Sequence, residues 1–162
     1  MAFVALTRSA KAAFTVAAAP AVVFPLLCPV REREWVDGWS ADVLRSVSGV
    51  AELGCVFVAR VHGDPAGTFI VTRYEPDRVI EFVVLRGDLV ERLSIVVEPE
   101  AAGTRLTWTR DYTSLNLAGN AWVEANSEGA IAGRIVHLGE MLARFVDGGV
   151  GGPTNRPRKN TA

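Results

Sequence analysis

Apolar and polar residues alternate along most of this chain, and from Leu117 onward the spacing changes to steps of three and four. Alternation marks strands, and the longer spacing marks a helix with one buried stripe. Thr7–Ala17 is the first predicted strand, with Phe14 and Val16 on one face. Pro20 can open a short helix, because its missing N–H is not needed in a first turn. Val22, Val23, Leu26 and Leu27 give that helix a buried side. Pro25 and Pro29 interrupt it, which predicts two short helical pieces around Arg31–Val36 and a turn at Asp37-Gly38.

Further strands are predicted over Trp39–Val47, Cys55–His62, Gly67–Glu75, Arg78–Arg86, Val90–Glu98 and Thr104–Leu115. Turn residues separate them: Ser48-Gly49, Gly63-Asp64-Pro65, Pro76-Asp77, Gly87-Asp88 and Pro99–Gly103. Loops this short imply an antiparallel meander, since parallel neighbours need long crossovers. The final helix is expected from near Asn120 to near Val146. Ile131, Ile135, Leu138, Leu142 and Phe145 form its bulky stripe, and Ala125, Gly129, Ala132, Gly139 and Ala143 form a small one beside it. The small stripe admits two readings, close packing on the sheet or room left for a ligand. Gly148-Gly149 ends the helix, and Gly151–Ala162 reads as a disordered tail.

The element order predicts an α+β fold. A curved antiparallel sheet of about seven strands would wrap a long C-terminal helix, with two short helices after the first strand. Such a fold encloses a space on the order of a few hundred cubic ångströms. Trp39 and Trp108 are the expected walls. The domain is expected over residues 1–147 with a flexible tail over 148–162.

Composition narrows the function. The 162 residues are 49% hydrophobic and 22% charged with a formal net charge of −1, so nothing electrostatic points to nucleic acid or an anionic membrane. Cys28 and Cys55 lack metal-ligand spacing, and His62 and His137 lie near neither, so no metal or other cofactor is expected. Arg8 and Lys11 before the apolar run Ala12–Leu27 superficially resemble a secretory signal, but Pro20 and Pro25 interrupt the run. No run reaches the ~18 apolar residues of a membrane span. A cytoplasmic monomer or homodimer is expected.

Particular residues carry a family resemblance. They are Phe24-Pro25-Leu26-Leu27-Cys28-Pro29-Val30-Arg31-Glu32 leading to Trp35 and Gly38-Trp39, then Tyr74-Glu75-Pro76. Gly103-Thr104-Arg105-Leu106-Thr107-Trp108-Thr109 and Gly119-Asn120-Ala121-Trp122-Val123-Glu124 follow. Over about Thr7–Val146 the chain resembles a bacterial branch of the START-related helix-grip (SRPBCC) superfamily, which includes polyketide cyclases and dehydratases, START lipid carriers and plant pathogenesis-related ligand carriers. The resemblance implies a helix-grip fold and an interior ligand site. It implies no particular chemistry, because that superfamily shares no catalytic motif.

The chain has no nucleophile elbow, phosphate loop or zinc-protease motif. Its candidates are ionisable residues that alternation turns inward. Leu106, Trp108, Arg110 and Tyr112 share one face of the last strand, and Glu91, Leu93, Ile95 and Val97 share one face of the strand before it. If the Pro99–Gly103 turn pairs Val97 with Leu106, Leu93 faces Arg110 and Glu91 faces Tyr112. Glu91 and Arg110 then become diagonal neighbours, either a structural bridge or the polar end of a pocket. Glu124 and Glu128 fall on the buried stripe, where they meet a ligand or simply favour the helix dipole. Trp35, Trp39, Trp108 and Trp122 are core or ligand walls, with Gly129 and Ala132 beside them on the small stripe. His137 falls on the outer face with Arg134, Met141 and Arg144, and alternation leaves Arg73 and Glu81 unplaced.

Two functions follow from this pattern. One is binding of a small hydrophobic or aromatic molecule in the cavity. The other is a cyclase- or dehydratase-like enzyme in which Arg110 polarises a carbonyl and Glu91 or Tyr112 moves protons. An interaction protein docking through its open sheet face is a third class, disfavoured by the even charge pattern.

Overall fold

A computed structural model of the chain describes residues 2–149. Its strands are β1 (Thr7–Val16), β2 (Trp39–Arg45), β3 (Val56–Val61), β4 (Gly67–Glu75), β5 (Val79–Arg86), β6 (Leu89–Glu100) and β7 (Gly103–Ser114). They form one antiparallel sheet of seven strands in the order β1-β7-β6-β5-β4-β3-β2. The meander β2 to β7 is the one the short turns require. β1 closes it by pairing with β7 from Thr7↔Thr113 to Val16↔Thr104. The expected tail falls almost wholly in residues 150–162, outside the described ones.

The turns behave as their residues dictate. Gly87 takes φ +55 between Arg86 and Leu89, which pair directly, so Gly87-Asp88 is a two-residue hairpin loop. At Gly103, φ is +134 and an added Cβ would lie 2.2 Å from the Val16 carbonyl oxygen, so only glycine fits. The Pro76-Asp77 turn is one residue longer than expected, since Glu75 pairs with Val79.

The prolines start helical turns as well as ending them. Pro20 opens α1 (Pro20–Val23), Pro25 sits at the start of a 3₁₀ turn (Phe24–Leu27), and Pro29 opens α2 (Pro29–Glu32). The second piece therefore begins two residues before the expected Arg31. These turns bury Val23, Phe24, Leu26 and Leu27 against the concave face of the sheet.

The C-terminal helix is not continuous. α3 (Leu117–Ala125) and α4 (Glu128–Asp147) are separated at Asn126-Ser127. Asn116 caps α3 by accepting from the Gly119 N–H, and Ser127 caps α4 by accepting from the Ala130 N–H. α4 buries Ile131, Ile135, Gly139 and Leu142. Gly139 is needed for close approach: a Cβ there would lie 2.5 Å from the Phe14 ring of β1. Phe57, Phe69, Phe82, Leu93, Ile95, Leu106 and Trp108 complete the core from the sheet side. No helix among the described residues is long and apolar enough to cross a membrane.

Candidate functional site

The pairing register arranges the concave face in rows. Arg8, Tyr112, Glu91 and Val84 stand side by side in one row. Ala10, Arg110, Leu93 and Phe82 form the next, followed by Ala12, Trp108, Ile95 and Ile80. Polar groups thus gather at the end of the grip covered by α3, and the aromatic and aliphatic core lies beyond them. Val97↔Leu106, Leu93↔Arg110 and Glu91↔Tyr112 are the pairs expected from the Pro99–Gly103 turn.

Glu91 is the buried acid of this end, 2% exposed. Its Oε1 accepts from the Arg110 Nε at 2.5 Å. A carboxylate so deep is tolerated because the guanidinium compensates it at hydrogen-bond range. Arg110 is half-buried. Desolvation works against its charge, but Glu91 and neighbouring Tyr112 outweigh that, and its pKa is raised. The guanidinium also lies 5.7 Å from the Tyr112 ring centre. Burial pushes the Tyr112 phenol up to about 12, against the lowering pull of Arg110. Tyr112 is therefore a hydrogen-bond donor at neutral pH and not a base. Its ring packs on Trp122 of α3 with centres 4.8 Å apart.

Glu32, the last residue of α2, faces this group from across the grip. Desolvation pushes its carboxyl up to about 8, and Arg110 pulls in the opposite direction. Glu32 is only half-buried by exposure, so it sits in crowded surroundings that still reach water. It is a neutral carboxylic acid at neutral pH, and sequence reasoning missed it. A single helical turn has no periodicity to show which way its residues point. The one available signal was Pro29 at the start of that turn.

The four tryptophans divide by their indole N–H groups. Trp35 donates to the Leu26 carbonyl at 2.8 Å, and Trp39 donates to the Pro29 carbonyl at 2.8 Å. The first ties the helical turns to one another, and the second pins α2 to β2. Trp108 is 3% exposed, and its Nε1 has no hydrogen-bond partner among the described residues. Leaving such a donor unsatisfied costs about 1–3 kcal/mol. Phe14 lies against the Trp108 ring at 6.2 Å.

Several expected residues fall elsewhere. Glu124, Glu128 and Gly129 are all exposed. The break at Asn126-Ser127 resets the helical phase, so Glu124, counted back from Ile131, does not stay on the buried stripe. Glu128 lies in the first turn of α4, where a carboxylate suits the dipole. An added Cβ at Gly129 meets nothing within 4 Å, so that glycine leaves no room for a ligand in the grip. Ala132 and Trp122 are half-buried, and Leu93 is buried beside Arg110. Glu81 lies on the convex face, accepting from Ser94 at 3.1 Å with Arg92 3.6 Å away.

Trp39 and Trp108 are packed into the core rather than lining an open chamber. A groove of about 150 Å³ lies on the convex side of β2 and β3, beside Ser40, Asp42, Val58 and Arg60. A separate apolar surface is formed by the β2–β3 connection, where Val47 is 99% exposed and Leu53 68%. Glu52 braces that connection by accepting from the Val47 and Ser48 N–H groups.

A curved antiparallel sheet closed over a long C-terminal helix is a helix-grip fold. Residues 7–145 match the family described as polyketide cyclase / dehydrase and lipid transport, and the chain belongs to it. No curated protein sequence matches the chain. Among solved structures, a protein from Mesorhizobium loti is similar with a TM-score of 0.67 and 14% identity, covering 89% of this chain and 100% of that one. DynU16, from the dynemicin biosynthetic locus, has a TM-score of 0.62 and 15% identity, covering 87% of this chain and 48% of its own. Norcoclaurine synthase from Thalictrum flavum, in complex with dopamine and hydroxybenzaldehyde, has a TM-score of 0.64 and 11% identity, covering 91% of both chains. At these identities the likeness is one of fold.

Proposed function

We propose that this chain binds a small hydrophobic or aromatic molecule between the concave face of the sheet and the helices that cover it. The observation that carries this reading is the buried Trp108 indole N–H, which no acceptor among the described residues satisfies. A ligand oxygen placed there removes the deficit, and the surrounding rings supply apolar contact. Arg8, Glu32, Arg86, Arg110 and Trp122 are all half-buried, so this end of the grip is the part of the concave face that meets solvent. The family description and the aromatic molecules bound to norcoclaurine synthase support a ligand of this kind.

A second reading, a cyclase- or dehydratase-like enzyme, is favoured by one specific observation. Glu32, held neutral up to a pH of about 8, faces the Arg110 guanidinium. A neutral acid able to give a proton beside a cation able to polarise a carbonyl is the pairing that acid-catalysed dehydration or ring closure needs. Glu91 would be the base in that reading, since Tyr112 keeps its proton.

Native mass spectrometry of freshly purified protein tests the binding reading. A bound mass that is lost on denaturation is the expected result. Apoprotein alone, together with no saturable binding of the neutral apolar fluorophore N-phenylnaphthylamine, would contradict it.

A further inference from the structure

All the buried side-chain polar atoms left without partners among the described residues are donors: Arg8 Nε, Arg86 Nε and Trp108 Nε1. All three also stand on the concave face. Arg8 shares the Tyr112 row and donates to the Val123 carbonyl of α3, and Trp108 follows Leu106 inward. Arg86 continues the buried positions Ile80, Phe82 and Val84 of β5. The concave face is therefore rich in donors and short of acceptors. Its charges lean the same way, with Arg8, Arg86 and Arg110 inward and Glu91 the carboxylate paired among them.

Arg86 is the least compensated of these cations. No carboxylate lies within ion-pair distance of it among the described residues, whereas Arg110 is held by Glu91. Its position is nevertheless fixed. Its Cζ lies 5.8 Å over the Phe69 ring, which is itself stacked on Phe57 at 4.8 Å. Gly67 makes space beneath it, since an added Cβ there would come within 3.0 Å of the Arg86 Nε. A guanidinium laid on an aromatic ring is held without being neutralised. Its charge also reaches Tyr112 in the polar row.

We propose that the ligand of the grip carries an oxyanion, a carboxylate or sulfonate on an aromatic or hydrophobic body, and that Arg86 docks that anion. This rests on the binding reading above and specifies its ligand. The planar fork of Arg86 offers paired N–H donors to two oxygens of one acid group. The body of the ligand then runs along the inner face toward Trp108.

Paired fluorescence titrations test the assignment, using anilinonaphthalene sulfonate and its neutral relative N-phenylnaphthylamine. The native chain is expected to bind both and to prefer the sulfonate. Arg86→Met should weaken sulfonate binding by roughly tenfold, the scale of one charged hydrogen bond, while the neutral probe changes little. Should thermal melting show that Arg86→Met does not fold, Arg86→Lys takes its place and is expected to keep only part of the sulfonate preference. An unchanged preference in whichever variant folds overturns the role of Arg86 and leaves the binding reading standing. Failure of both probes to bind the native chain overturns the binding reading and the anion site together.

Discussion

Arg110 Nε reaches Glu91 Oε1 at 2.5 Å although each residue stands opposite a different partner, Arg110 facing Leu93 and Glu91 facing Tyr112. The bridge is diagonal, made possible by the length of the arginine. Removing only the cation leaves a carboxylate uncompensated at 2% exposure. Arg110→Met should therefore cost about 3–5 kcal/mol in denaturant unfolding. Adding Glu91→Gln should recover most of that loss, because a neutral amide needs no counter-charge. A double variant no more stable than the single one would mean that the pair does not interact as described.

Glu32 sets a pH dependence whose sign can be worked out. Its carboxyl, ordinarily near 4.5, is raised to about 8 in the folded chain by desolvation, with Arg110 opposing. Between those values the unfolded chain has released a proton that the folded chain retains. The stability contributed by this group is complete below 4.5 and is lost as pH rises through 8. The loss is on the order of a few kcal/mol. Urea unfolding of the native chain should weaken across that range relative to Glu32→Gln. Parallel curves for the two proteins would contradict the assignment.

The glycines of α4 separate packing from propensity. A Cβ at Gly139 would meet the Phe14 ring at 2.5–2.8 Å, whereas one at Gly133 meets nothing within 4 Å. Gly139→Ala should destabilise by about 1–3 kcal/mol through overpacking. Gly133→Ala should stabilise by up to about 1 kcal/mol through helix propensity. Thermal melts of the two variants moving in the same direction would be inconsistent with this packing.

How much of the site was legible in the sequence depended on whether a periodicity existed to read. β6 and β7 alternate strictly, and the turn between them fixes the register, so the Glu91 and Arg110 placement could be derived. Arg86 was equally readable, two positions beyond Val84 on an alternating strand, yet a terminal arginine is usually taken as solvated. Glu124 went wrong because one phase was carried through the Ser127 cap as if the helix were continuous, and Glu128 because it is the first residue of α4, at the exposed start of the helix. Glu32 offered no pattern, because its orientation is set by how α2 packs across the sheet, a relationship between residues distant in the chain.

Trp108→Phe distinguishes a donor kept for a ligand from one merely tolerated. Deleting the unpaired N–H while keeping an aromatic ring should leave the unliganded protein as stable as before, or more so by up to about 1–3 kcal/mol less any cavity cost. The same variant should bind N-phenylnaphthylamine with little change but lose affinity for acetylnaphthalene, whose ketone oxygen can accept from the indole. Equal loss for both probes would mean that the indole acts through its bulk alone.

The indole N–H resonances of ¹⁵N-labelled protein, titrated with the neutral ketone acetylnaphthalene, test the ligand site most directly. Trp35 and Trp39 already donate to carbonyls and Trp108 does not. The account predicts that the Trp108 signal, assigned by its absence in Trp108→Phe, shifts downfield saturably and by more than those of Trp35 and Trp39. A Trp108 signal that stays fixed at saturating acetylnaphthalene, while resonances outside the grip move, would contradict it.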